Sequence, residues 1–404
     1  DGRDGGMMVS KEMANWYDKI RLEARGRFAA GRWPDAAEEE WRRSDVSKLG
    51  LDAYIGAARP SSVAFTIELP AEAVAAGVRL LPVASSLQVS TRAALNLARE
   101  EGDRFAAWNL AEGEAWALEL PPGLVLSSPI SVEGRLTGRA AHPRLVVIAG
   151  EGSSADVVYR VVAEGETGLV NAALDLELDE AASLRLFETH DSGDAALWFV
   201  DTRARLGRDA RLLHLAVETS GSFVKSRVDC SLAGIGAEAV LDGVFFAEKG
   251  RHLDLRTVQR HLAPRATSRS LYKGALGEGG RSIVQGLIEV AKEAAGTDAF
   301  LANRNILLGR GARADSIPTL RIGNNDVRCS HGSTTGKLSE SELFYLESRG
   351  FDRASARALL VLGFFNEIFD KSPESFSRPL IERISSRLDA ASTTRDIAPG
   401  AAAA

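Results

Sequence analysis

Glu180-Ala-Ala-Ser-Leu-Arg-Leu-Phe187 and Arg208-Asp-Ala-Arg-Leu-Leu-His-Leu215 decide the fold. Each sets a small residue, Ala182 or Ala210, just ahead of a short apolar strand. With that residue as register mark, Ser153, Ala182, Ala210, Ala237, Ala266 and Ala294 succeed one another at gaps of 29, 28, 27, 29 and 28. A fixed period between about 20 and 50 residues marks a stacked architecture, because one repeat cannot bury its inner face alone. The units are strand and turn, as at 124–126, 145–148, 184–187 and 240–246, with almost no helical period inside them. Helical repeats and leucine-rich horseshoes are thereby excluded. A parallel β-helix, a propeller and a two-sheet sandwich remain, and small corner residues without a blade-type aromatic signature favour the β-helix.

Outside this core the period turns helical. Residues 11–30 are charged and periodic, with Trp16, Ile20, Leu22 and Phe28 available for one side. Pro34 is expected to open a short acidic helix over 36–43. A third helical stretch covers 91–110, with Leu95, Leu97, Phe105 and Trp108 apolar; the segment 63–69 is left unassigned. After Gly336, Ser339-Glu-Ser-Glu342 fits a capping box. Asp352 can cap a second helix whose Ala358, Leu362, Phe365 and Phe369 form one stripe, widened by Val361, Phe364 and Ile368. Pro373 breaks it, and Leu380, Ile381, Ile384 and Leu388 mark a third helix. The expected division is a helical or mixed region over 1–115, a β-helix core over 116–337, a C-terminal helical region over 338–391 and a disordered tail over 392–404. Apolar surface left uncovered on the C-terminal helices would be a docking site.

Composition narrows the class. The chain has 404 residues, 45% apolar and 26% charged, which fits a folded globular protein. Lysine and arginine total 49 against 55 acids, too balanced for a dedicated nucleic-acid binder. The longest apolar run, 358–365, is far below the roughly 18 residues of a membrane span. Residues 1–10 carry neither an apolar signal core nor an arginine-rich presequence, so the cytoplasm is the expected compartment. Two cysteines, Cys230 and Cys329, stand 99 positions apart, which supplies neither a zinc-finger spacing nor a disulfide framework.

Several motifs resemble catalytic signatures and fail on context. Gly150-Glu-Gly-Ser-Ser-Ala155 leads into the strand-like run Val157, Val158, Tyr159, Val161 and Val162 rather than a helix that could receive a pyrophosphate. It and Gly234-Ile-Gly-Ala-Glu-Ala239 read as tight β-corners where glycine supplies unusual backbone angles. Gly332-Ser-Thr-Thr-Gly-Lys337 is one residue short of a phosphate loop. His252 and Asp254 share one face of a strand and His261 has the opposite parity, a pattern expected of a hydrogen-bonded pair in the stack. One cluster stands out. Cys329 and His331 lie at i and i+2, so an extended segment projects thiol and imidazole from one face roughly 7 Å apart at the backbone. That is a soft pair suited to iron, zinc or copper, and only half of the usual iron–sulfur ligand set.

The C-terminal residues carry a resemblance. Cys329-Ser-His-Gly-Ser-Thr-Thr-Gly-Lys-Leu338 followed by Leu343-Phe-Tyr-Leu-Glu-Ser-Arg-Gly350 resembles the SufB/SufD family of iron–sulfur cluster assembly proteins. Tyr272-Lys273-Gly274 after His261, Thr297-Asp-Ala299 leading to Asn303-Arg-Asn-Ile-Leu-Leu308, and Glu39-Glu-Trp-Arg42 add to it. Ser-His-Gly after the cysteine, and the lack of a cysteine-rich N-terminal motif, resemble the SufD type. Ser333 departs from the usual alanine, Asn324-Asn325 from a more acidic pair and Leu287 from a basic residue.

The resemblance implies a right-handed parallel β-helix flanked by helices, serving as a non-catalytic scaffold. It implies pairing with a SufB-like paralogue through the β-helix ends and docking of a SufC-like ABC ATPase, and it leaves open whether the chain forms a homodimer in isolation. Neither nucleic acid nor membrane is an expected partner. Cys329 and His331 would hold iron or a nascent cluster shared transiently with the partner chain, with no cofactor bound tightly to this chain alone. Leu343, Phe344, Tyr345, Arg349, Leu362, Phe365 and Phe369 are the expected partner-binding residues. The compartment would be the plastid stroma for a plant chain. A SufB-like main scaffold and a polysaccharide-active β-helix enzyme are the alternatives; the low aromatic content, 6%, and the lack of a repeated acid cluster oppose the enzyme.

Overall fold

The computed structural model describes residues 3–56, 62–92, 103–165, 167–248 and 250–396. From Pro143–Ala149 to Val327–Gly336, successive long strands pass alternately into a nine-stranded and a ten-stranded sheet. Every pairing along that run is parallel and in register, so the chain winds as a parallel β-solenoid with two strands per coil.

The repeat has a backbone cause. At one corner of each coil a residue adopts the left-handed conformation: Gly152 (φ 63°), Ala181 (56°), Asp209 (51°), Gly236 (73°), Arg265 (58°) and Gly296 (72°). Each turns its N–H onto a carbonyl of the next coil, as Ala181 does to Arg208 (2.8 Å) and Gly296 to Asp326 (2.7 Å). The expected small residues follow directly behind the first five corners, where a larger side chain would crowd the turn. Ala294 breaks this register. Thr267 pairs with Asp298, so the true partner of Ala266 is Thr297, and the corner after Val290 holds two residues more than the one after His261. Three corners place a residue with a Cβ where glycine fits best. Replacing the exposed Ala181 with glycine relieves an αL cost of about 1–2 kcal/mol against a chain-entropy loss of about 0.5–1. We expect the melting temperature of Ala181→Gly to rise slightly; a fall would mean the corner is unstrained.

Four layers follow from burial. Between the sheets lies an apolar lumen built of residues such as Leu145, Val157, Leu184, Trp198, Leu241 and Leu255. The outer face of the ten-stranded sheet is covered by the N-terminal region: Tyr17 and Ala24 of helix Arg3–Ala30 lie on Val146 and Ile148, and Phe105 and Trp108 of helix Arg104–Glu112 join Phe199 and Phe223. The outer face of the nine-stranded sheet is covered by the C-terminal helices. No helix among the described residues is long and apolar enough to cross a membrane.

Several local expectations are corrected. Leu22 points to solvent, 67% exposed, and Tyr17 and Ala24 face inward instead. Residues 36–43 form successive turns, not a helix. Tertiary contacts overrule the proline signal there: Trp41 stacks on Phe105 at 5.5 Å, and the Glu40 carbonyl accepts from Lys225 Nζ at 2.9 Å. Residues 124–126 make a single bridge to Ser154 rather than a strand. The open segment 63–69 falls largely within strand Ser62–Glu68, antiparallel to Ile130–Thr137. Leu95 and Leu97 lie outside the described residues. The helix Glu374–Asp396 runs through 392–396 of the stretch set aside as a tail, and 397–404 lie outside the described residues.

The two ends of the stack differ. At the first, Ala73 of the short helix Ala71–Ala75 and Val78 close the lumen, and the Glu72 carboxylate accepts from the Ser127 (2.9 Å) and Ser128 (3.1 Å) backbone N–H groups. At the other, strands Arg313–Ile322 and Val327–Gly336 are the last members of their sheets, and each has a free edge among the described residues.

Candidate functional site

Cys329 and His331 sit on that final strand. Cys329 is in register with Ala299 and His331 with Leu301, so both continue lumen-facing rows at the open end. The Cys329 thiol rests against the small cluster of Ile288, Val290, Ala299 and Leu301 and is half-buried, whereas His331 is exposed. Burial, followed by the Asp298 charge, pushes the Cys329 thiol above its ordinary value despite an opposing hydrogen bond from the Ala299 backbone. It is therefore a protonated thiol at neutral pH, and becoming a metal ligand requires loss of that proton. Among the described residues no group of three or more His, Cys, Asp or Glu is placed to hold a metal ion.

The other motifs resolve into structure. Gly152 and Gly236 are left-handed corners, and Val157–Val162 lies in strand Ser154–Ala163, which leaves no helix for a dinucleotide. Gly332–Gly336 belongs to the terminal strand. His252 and Asp254 face outward beneath the N-terminal turns. Asp254 accepts from Lys225 Nζ (2.9 Å), Gln285 Nε2 (3.1 Å) and the Ser44 hydroxyl, a closed network that pins the segment around residue 44. His261 faces the lumen and meets the Ser268 hydroxyl at 2.8 Å. A cleft of about 500 Å³ opens between Trp41, Phe105, Phe199 and Lys225 and includes neither Cys329 nor His331.

The C-terminal helices Glu340–Ser348 and Arg353–Phe369 begin where their caps predict, since Ser339 Oγ accepts from the Glu342 N–H and Asp352 from those of Ala354 and Ser355, and a third helix follows over Glu374–Asp396. The stripe of the second helix turns inward. Phe365 and Phe369 pack on Phe187, Leu215, Val244 and Phe246 of the sheet, and Leu362 is partly buried beside them. Leu343 is also buried. These four were expected to meet a partner, but an apolar stripe buries itself on the nearest apolar face first. The exposed members are Phe344 (72%), Tyr345 (56%) and Arg349, whose guanidinium lies 5.1 Å from the Tyr345 ring centroid. Phe351 and Leu359 are exposed too and were missed because they lie off the stripe.

The profile of the SUF system FeS cluster assembly SufBD core domain matches residues 132–364, more than half of the chain. The chain belongs to the SufBD family. A SufBD family protein of Mycobacterium tuberculosis is 37% identical over 250 residues, covering 60% of this chain and 62% of that protein. The iron-sulfur cluster assembly protein SufD of Escherichia coli is 27% identical over 250 residues, 61% of this chain and 59% of its own length. A Staphylococcus epidermidis member is 23% identical over 280 residues, 68% of this chain and 60% of its length. The chain thus spans about three-fifths of the SufBD relatives it matches. The matched core takes in the coils, Cys329, His331 and the first C-terminal helix, and ends inside the second.

Proposed function

We propose that this SufBD protein is a SufD-like, non-catalytic scaffold subunit of cytoplasmic iron–sulfur cluster assembly. It pairs with a SufB-like paralogue through the open end of its stack and carries a SufC-like ATPase on its C-terminal helices. The supporting observation is the last coil: its two ten-residue parallel strands each keep a free edge among the described residues, and one of them carries Cys329 and His331. Unpaired N–H and C=O groups on an edge strand are a template for another chain. Iron–sulfur clusters usually take four ligands, so a partner contributing two completes the set. The nascent cluster is cargo held at the seam, and its arrival must displace the Cys329 proton. The exposed Phe344 and Tyr345 offer the ATPase an aromatic anchor pair.

Co-expression with a SufB-like chain and a SufC-like ATPase, followed by size-exclusion chromatography, tests the assembly; absence of a common peak removes the reading. In that complex, His331→Ala should leave the elution profile unchanged and cut the cluster reconstituted per complex by about tenfold, the effect of losing a ligand or its close support. An unchanged cluster yield by iron and sulfide analysis takes His331 out of the mechanism.

A further inference from the structure

Asn303-Arg304-Asn305 contacts both regions that the proposed function requires to communicate. In a strand successive side chains alternate in direction, so the central arginine points out while its neighbours point into the lumen. Arg304 Nη1 lies 3.2 Å from Glu367 Oε2 on helix Arg353–Phe369. Lys273, the register partner of Arg304 on the preceding coil, reaches the same oxygen at 2.5 Å and donates to the Phe364 carbonyl at 2.7 Å. One helix carboxylate is thus clamped by two coils. Inside, Asn305 Nδ2 donates to Asn303 Oδ1 at 2.7 Å and to Thr335 Oγ1 at 3.3 Å, and Asn303 Nδ2 donates to the Tyr272 carbonyl at 3.2 Å. Thr335 is on the strand that carries Cys329 and His331. The helix is also tied to the end of the Arg304 strand, since Arg357 Nη2 donates to the Leu308 carbonyl at 3.0 Å.

We infer that Asn303, Arg304, Asn305 and Lys273 are positioning residues that couple the second C-terminal helix to the Cys329/His331 strand. The inference rests on the proposed function for its purpose, but its physical content belongs to the chain by itself. Pulling Glu367 away releases the outward tether of Arg304, and the same backbone segment then loosens its asparagine hold on Thr335. Buried amide pairs resist shear because breaking one leaves donors without partners. That makes the tripeptide stiffer than the ladder hydrogen bonds alone.

Amide hydrogen exchange on the full chain without partners tests this. Glu367→Gln should speed exchange in 329–336 by roughly three- to tenfold, within the range of mutations along coupled networks. Coils far from the junction, such as Ser154–Ala163, should be unchanged. Asn305→Ala should speed the same amides, and the double variant should add little. Arg304→Gln, at a half-exposed position, serves as the milder variant should Asn305→Ala unfold. Acceleration confined to 353–369, or additive effects in the double variant, overturns the coupling. Failure of the three-chain complex to form would overturn the proposed function and leave this exchange result standing.

Discussion

Glu188→Gln is expected to cost about 3–5 kcal/mol, the usual penalty for removing one partner from a buried ionic network. Glu188 lies inside the lumen with His190, His214 and Glu218, all at most 3% exposed. Its Oε1 meets His190 Nε2 at 3.1 Å and its Oε2 meets His214 Nε2 at 2.7 Å, while His190 Nδ1 meets Glu218 Oε1 at 3.1 Å. Burial works against both charges, yet the two histidines hold the Glu188 carboxyl below its usual range. Against the same burial, Glu218 and Glu188 push the His190 imidazolium up to about 10. The signs fix the pH profile. Stability from Glu188 is present above its ordinary value of about 4.3 and is lost on acidification. Stability from His190 is complete below about 6.5 and is lost as pH rises through its folded value. The network therefore supports the fold best in a window from about pH 4.5 to 6.5. Denaturant midpoints should fall from pH 6 to pH 10 in the parent chain, and Glu188→Gln should lower the pH 6 midpoint most. A loss under about 1 kcal/mol would show that water or relaxation already satisfies these groups.

Phe365→Ala should cost about 3–5 kcal/mol, the usual range for an aromatic truncated in a core. Phe365 is fully buried between the second C-terminal helix and Leu215, Val217 and Phe246 of the sheet. Because the helices pack as an outer layer, the loss falls on their attachment and not on the coils. Polar tethers, such as Lys371 to Asp242 (2.6 Å), Glu367 to Lys273 and Arg304, and Arg357 to the Leu308 carbonyl, hold only points along this layer. Limited proteolysis should then release a fragment beginning after residue 336, and ATPase capture should fall with it. Phe344→Ala makes the contrast: an exposed site changes stability by about 0.5 kcal/mol or less, so a loss of capture there reflects the contact itself. Equal proteolytic release in both variants would refute this division between attachment and docking residues.

The stack was legible because its corners impose a backbone conformation that few residues tolerate, and that constraint recurs along the chain. The register was legible only until the corner after Val290, where two additional residues leave Ala294 in the turn but out of line with the strands. That Cys329 and His331 share one strand face was legible because alternation on a strand is independent of what surrounds it. Periodicity identified the stripe of the second C-terminal helix but not its direction, since an apolar stripe looks alike whether it meets its own sheet or another protein. The lumen network escaped notice although His190 and Glu218 stand 28 residues apart, one repeat. Aligning charged residues by that period, instead of only the small ones, would have placed them side by side.

The plugged end limits how far these molecules can associate. A rod that is adhesive at both tips adds subunits without limit and becomes a fibre. Here the starting tip is closed by Ala73 and Val78, and its strands run antiparallel, one of them only four residues long and ending in Pro82. That tip offers antiparallel edges of seven and four residues against two parallel edges of ten at the other, so association through the longer edges alone would terminate at a pair.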